Sequence, residues 1–298
     1  MSEHVRFERH DGILDIVLNR PDEGNLISQE MAEAMIAELG GIAPDVKLIR
    51  LLAKGPDFCR GRQSPTLDRA TASPLDVRRI VAQGPLDLYA AFKKTKAPVL
   101  GVVRGQAIGV GCALAGLCDV TIAASDTVFR VPEMDHGIVP TLVMWALAGR
   151  VPDKSITYLV ITREPISAAK AEALGIVDVV VAPDQLDAEA ERLTAKIATC
   201  SATTLQTTKE FLRYASRMEP DAASALSANL NAVVSTSKLP GPRARKIAFC
   251  PYSRLGCWTL EKAVGNCSWR SRTSFSRNGV SVAIIRSIHQ SESRSISL

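Results

Sequence analysis

Three groups able to give or take a proton stand within four residues: Glu133 directly after Pro132, then Asp135 and His136. Two glycine-bearing turns, Gly55-Pro-Asp-Phe-Cys-Arg-Gly61 and Gly105-Gln-Ala-Ile-Gly-Val-Gly111, can expose backbone N–H groups at close range, because glycine lets the chain approach a ligand without a side chain in the way. A turn from strand to helix aims free amides at whatever sits at the helix start, and those amides with the macrodipole stabilise negative charge there. Two such turns could make an oxyanion hole, and a carboxylate beside it could move the proton. The second turn is no nucleotide loop: the G-x-G-x-x-G pattern fails at Leu114, and no Gly-Lys-Ser/Thr follows.

Read with their neighbours, these residues form a recognisable series. Leu18-Asn-Arg-Pro21 with Asn25-Leu-Ile, Phe58-Cys-Arg-Gly61, Gly105 to Cys112 with Cys118-Asp119, Phe129-Arg-Val-Pro-Glu133 with Gly137-Ile138 and Pro140, and Ser167 to Asp178 resemble in order and spacing the crotonase superfamily of enoyl-CoA hydratases and isomerases. The resemblance covers about residues 5 to 237. It implies an α/β fold, a crotonase-like spiral of ββα turns followed by a C-terminal helical subdomain that trimerises. It also implies a coenzyme A thioester as substrate, with no prosthetic group, and a homotrimer or hexamer.

By position, the resemblance assigns the two hole amides to Arg60 and Val110, and the acid/base to Glu133. The first of the family's two glutamates falls at Ala113, so double-bond isomerisation or a lyase reaction is expected rather than plain hydration. Arg60, Gly61, Arg62, Gln63, Gly109 and Val110 are the expected thioester contacts. The arginines offer charge to coenzyme A phosphates or to a carboxylated acyl group. On extended backbone Asp135 would share a face with Glu133 while His136 points away, which makes Asp135 the better substitute for the missing glutamate and His136 the weaker candidate. The competing reading is a catalytically weak acyl-CoA-binding or oligomeric scaffold that contacts RNA through a basic tail.

The elements that must position these groups read clearly. Val5 to Leu18 alternates as a hairpin around His10-Asp11-Gly12. Ser28 caps a helix carrying Met31, Met35 and Leu39 and stopping at Gly40-Gly41. Leu48 to Ala53 and Val99 to Val103 are apolar runs of strand length, with a helix from Ser73-Pro74 between them. Val120 to Ala124, Val128 to Val131 and Val177 to Val181 continue the strands, and Ser167 caps a helix ending at Gly175. After Pro183 the pattern is helical over Leu186 to Cys200, Thr203 to Met218 and Asp221 to Val234. Such alternation predicts an α/β body over 1–185 and a helical subdomain over 186–237.

The remaining 238–298 are a region of foreign composition. They hold 11 Lys/Arg against 2 Asp/Glu, whereas 1–237 holds 25 against 29, so the formal charge of +5 belongs to the tail. This basic Ser/Arg-rich segment is expected to be poorly ordered, and nucleic acid is not the expected partner. Seven cysteines, an odd number with no C-x-x-C pair, argue against a metal site. No run is long and apolar enough for a membrane span, and an amino terminus without a secretory pattern leads to the expectation of a cytoplasmic protein.

Overall fold

The structure, a computed structural model, describes residues 3–68 and 70–237; the segment 238–298 lies outside them. Strands β1 (Val5–His10) and β2 (Ile13–Leu18) form the expected antiparallel hairpin, turned by Asp11 and Gly12 at positive φ. Parallel strands β3 (Leu48–Ala53), β4 (Val99–Val103), β6 (Val120–Ala124) and β9 (Val179–Val181) extend it to a six-stranded sheet, order β1-β2-β3-β4-β6-β9. Strand β5 (Gln106–Ile108) pairs parallel with β7 (Val128–Arg130), which pairs antiparallel with β8 (Ile166–Ser167) in a second, three-stranded sheet.

Period two decides which face each strand residue serves. Leu14, Ile16, Leu18, Ile49, Leu51, Val99 and Val103 enter the larger core, while Ile13, Leu48, Leu100, Val102, Ile122 and Ala124 face the other way. With both faces covered, β2 and β4 are buried at every residue, as parallel strands flanked by helices should be. The larger core is closed by helix α1 (Gln29–Gly40), whose Met31, Met35 and Leu39 are buried behind the Ser28 cap. The opposite face is covered by Leu186 and Ala190 of α8 (Leu186–Ala198).

The helix starting at Ser73 is capped by a reciprocal Ser73–Asp76 box and is not continuous: α2 (Pro74–Val77) passes through a wide π turn, Arg78–Ala82, into α3 (Gln83–Lys94). Pro85 has no N–H to return to the preceding turn, and the Gln83 amide bonds five residues back to Arg78. Leu88, Tyr89 and Phe92 of α3 are buried against the core. Helix α4 (Val110–Leu117) is buried on all sides. Two helices have no counterpart in the sequence reading, α5 (Thr141–Leu147) and α6 (Asp153–Thr162); both start beside prolines, and their short apolar runs carry little periodicity. Helices α7 (Ala168–Ala173), α9 (Ala202–Tyr214) and α10 (Pro220–Ser237) fall where the pattern placed them, with Ser167 and Ser201 as caps. No helix among the described residues is long and apolar enough to cross a membrane.

Candidate active site

The first turn is built outward from Asn25. This buried residue, at positive φ, donates through Nδ2 to the carbonyls of Lys54 (2.9 Å) and Asp57 (2.8 Å), and its Oδ1 accepts from the Arg20 amide at 2.8 Å. Asp57 in turn accepts the Gln106 amide at 3.0 Å, tying the first glycine turn to the second. Past Asp57 the successive N–H groups find partners in different segments of the chain. The Cys59 amide donates to Gln106 O at 3.0 Å and the Arg60 amide to Gly24 O at 2.9 Å. The Gln63 amide donates to Ile27 O and the Ile27 amide to Gly61 O, each at 3.0 Å, so Arg62 is bridged to Ile27 with its own N–H facing away. No acceptor among the described residues takes that N–H.

This corrects the assignment of the first hole amide. The Arg60 N–H is committed to Gly24, and its side chain, 54 % exposed, lies over Gly24 and 4.0 Å from Asp57 rather than against a ligand space. The free donor is two residues on, at Arg62. The bridge between Ile27 and Arg62, which turns the Arg62 N–H away from its partner, is what distinguishes the two.

The second turn supplies the other amide. Gly109 sits at φ +54°, and its N–H is used by Arg130 O at 2.8 Å. Val110 then begins α4, and its amide has no acceptor among the described residues, as the first N–H groups of a helix must. Both glycines flanking Val110 are required: a Cβ on Gly109 would come within 2.9 Å of Glu133 Oε1, and one on Gly111 within 2.1 Å of the Cys59 carbonyl oxygen. Arg62 and Val110 line one cavity of about 260 Å³ with Ile27, Ala32, Leu88 and Gln63.

The carboxyl of Glu133 lies against Gly109, the residue before Val110. It is half-buried, and its Oε2 is enclosed with no hydrogen-bond partner. Burial pushes its pKa above the usual carboxylate range, with its own amide and the charge of His136 pulling weakly the other way. Ala113, at the position of the absent first glutamate, is fully buried. Tyr89 is fully buried, and its hydroxyl too has no partner. Burial first, then the charge of Glu133, hold the phenol well above its ordinary range, so it is a neutral group. Sequence reading did not mark Tyr89, because a tyrosine on the buried stripe of a helix looks like core. Cys59 and Cys112 are pushed up to about 12 by burial and are inert thiols beside the site.

Asp135 and His136 are not where extended backbone would put them. Residues Glu133–His136 form a 3-10 turn closed by Gly137 at φ +66°. Asp135 accepts from Arg130 at 2.8 Å and Arg163 at 3.1 Å, an ion-pair cluster that engages both of its oxygens. That pairing removes Asp135 as a substitute base, and His136 is exposed. Of the expected thioester contacts, Arg62, Gln63 and Val110 meet at the cavity, Gly61 and Gly109 shape its two turns, and Arg60 lies outside its lining.

Comparison with known proteins fits this geometry. The family model described as enoyl-CoA hydratase/isomerase matches residues 8–240. Enoyl-CoA hydratase domain-containing protein 3, mitochondrial, from Rattus norvegicus is 31% identical over 195 residues, 65% of this chain and 64% of that protein. This chain thus spans less than two thirds of that relative's length. The 2,3-dehydroadipyl-CoA hydratase of Escherichia coli (strain K12) is 29% identical over 222 residues, 72% of this chain and 82% of that protein. Among solved structures, an enoyl-CoA hydratase from Mycobacterium smegmatis superposes with a TM-score of 0.71 at 28% identity, covering 78% of this chain and 91% of that one. The α/β spiral with a C-terminal helical region is the fold of such structures.

Proposed function

This chain belongs to the enoyl-CoA hydratase/isomerase family, and from that premise we propose that it acts on an acyl-CoA thioester through an enolate, with the Arg62 and Val110 amides on the thioester oxygen and Glu133 moving the proton. The observation that carries the reading is the pair of amides without acceptors on Arg62 and Val110, two residues that line one cavity, with a carboxyl whose Oε2 has no partner standing against Gly109, the residue before Val110.

Removing a proton from the carbon next to a thioester puts charge on the carbonyl oxygen. Two fixed N–H donors are worth about 3 kcal/mol each at that moment, because they need no reorganisation. A carboxylate whose pKa burial has raised is the stronger base for that proton. Glu133 takes it from one carbon and returns it to another along the conjugated acyl chain, shifting the double bond with no net change in atoms. Plain hydration needs a second group to orient water, and the methyl of Ala113 can do neither that nor proton transfer. With Asp135 held by two arginines, isomerisation or a lyase reaction that one base can run is the favoured activity.

The test is incubation with 2-enoyl-, 3-enoyl- and 3-hydroxyacyl-CoAs in deuterated water, followed by mass spectrometry. Deuterium uptake or a 3-enoyl to 2-enoyl shift that Glu133→Gln abolishes is the expected result. Water addition as the dominant reaction would overturn the one-base mechanism. No exchange with any thioester would overturn the enolate reading as a whole.

A further inference from the structure

We infer that the acyl group this cavity takes ends in a carboxylate, received by the guanidinium of Arg62. The inference rests on the reading above that the cavity holds an acyl thioester, and it adds the class of acyl group.

Arg62 is the single charged residue among those lining the cavity; the rest of the wall is aliphatic, amide, hydroxyl, proline or glycine. No ion pair or side-chain hydrogen bond engages its guanidinium among the described residues, and its nitrogens reach solvent. The other arginines of this neighbourhood differ. Arg20 is bonded to Glu23 through two nitrogens, at 3.0 and 2.6 Å, and Arg60 stands 4.0 Å from Asp57. Arg62 is half-buried, and burial draws its guanidinium below its ordinary range, with Tyr89 opposing. A half-buried cation without a counter-ion keeps only part of its hydration, and a ligand that carries the anion can pair with it. The planar guanidinium matches a carboxylate through two parallel N–H···O bonds, and the hydroxyls of Ser64 and Thr66 line the same cavity.

Position selects the acyl end over the phosphates of coenzyme A. The Arg62 amide marks the thioester oxygen, so the guanidinium lies within one side chain's length of the reacting carbonyl. The phosphates are separated from that carbonyl by the whole pantetheine arm. Ile27, Ala32 and Leu88 line the same space and suit the methylene stretch between thioester and carboxylate.

Titration calorimetry of the full chain with glutaryl-CoA, pentanoyl-CoA and free coenzyme A tests this without turnover, since the two saturated thioesters have the same chain length and differ in carboxylate against methyl. Glutaryl-CoA should bind about 30-fold tighter than pentanoyl-CoA, the size expected of a hydrogen bond between charged groups. Arg62→Met should remove that preference and Arg62→Lys restore part of it. Equal affinity of the wild type for the two thioesters overturns the inference while leaving the enolate reading in place, which deuterium exchange reads separately. A loss of free coenzyme A affinity in Arg62→Met equal to the loss for glutaryl-CoA also overturns it, because the anion held would then be a phosphate. Failure of all three ligands to bind overturns both readings.

Discussion

Two buried polar regions of this molecule are built on opposite terms. Around Asp119 the charges are paired with one another, although Nε of the nearby Arg213 and the Thr95 hydroxyl are buried without a partner. The Asp119 carboxylate accepts from Arg150 at 2.8 Å and from the Val99 amide at 2.8 Å and pairs with Lys209 at 2.6 Å, while Lys209 also donates to the Ala97 carbonyl at 3.0 Å. Burial pushes Asp119 up, yet Lys209 and Arg150 outweigh it and hold the carboxyl below its ordinary range. Around Glu133 the groups are left open: a carboxylate oxygen and the Tyr89 hydroxyl without partners, an arginine without a counter-ion, and two amides without acceptors. A folded chain satisfies its buried polar groups unless something else is meant to satisfy them. The first region ties α4 and α9 to the sheet, and under the proposed function the second is the one a ligand would complete.

The hardest test of that contrast is Glu133→Gln. The amide keeps the shape and loses the base, so turnover of the reactive thioester should fall about 1,000-fold. Thioester affinity should change little, because the amide keeps the volume of the carboxyl and the thioester oxygen is held by the two backbone donors. Turnover within tenfold of wild type would show that the open carboxyl is not the base.

Lys209→Met attacks the other region. Removing one partner from a buried pair leaves Asp119 enclosed with fewer partners, and the expected loss of stability is about 3–5 kcal/mol by urea unfolding. Activity per folded molecule should survive. A loss below about 1 kcal/mol would mean the network contributes no more than a surface pair.

The two carboxyls should also respond oppositely to pH. Glu133 has a folded pKa raised above its ordinary 4.5. Its protonated form is favoured in the fold, so the stability it confers is full below 4.5 and is lost as pH rises through the raised value. Asp119 has a folded pKa below its ordinary 3.8. Its contribution is present above 3.8 and lost as pH falls through the lowered value. Glu133→Gln should therefore unfold at a higher temperature than wild type near neutral pH, with the gap closing below 4.5. A gap that does not depend on pH would detach the effect from titration.

The contrast also explains what could be read from the chain before any coordinates. Elements with a strong period were legible: the β1–β2 hairpin, α1 behind Ser28, and the alternation that sends Leu14 and Ile16 to one face and Ile13 to the other. The position of Val110 was legible too, since a glycine turn entering a helix has a fixed geometry. That the Arg60 N–H is bonded to Gly24 and the Arg62 N–H free was not legible, because the direction of these groups depends on pairing with Ile27, a partner 35 positions from Arg62 that no local pattern specifies. Asp135 was misread because Gly137 closes a 3-10 turn where Phe129 to Val131 suggested that a strand continued. Tyr89 was invisible for a different reason: only the absence of a partner for its hydroxyl separates it from core, and sequence does not record partners.

That hydroxyl offers the finest test. If the region around Glu133 is open by design, Tyr89→Phe removes a polar atom that forms no bond in the free protein. Folding should then be unaffected or gain up to about 1 kcal/mol, since an unpaired buried hydroxyl costs desolvation and returns nothing. The ring keeps its packing beside Leu88 and Phe92, so no cavity opens to confuse the measurement. Unfolding in urea at one pH, compared with wild type, reads the difference directly. A loss of more than about 1 kcal/mol would mean the hydroxyl is bonded to an enclosed water, and the Glu133 region would then be as well satisfied as the cluster at Asp119.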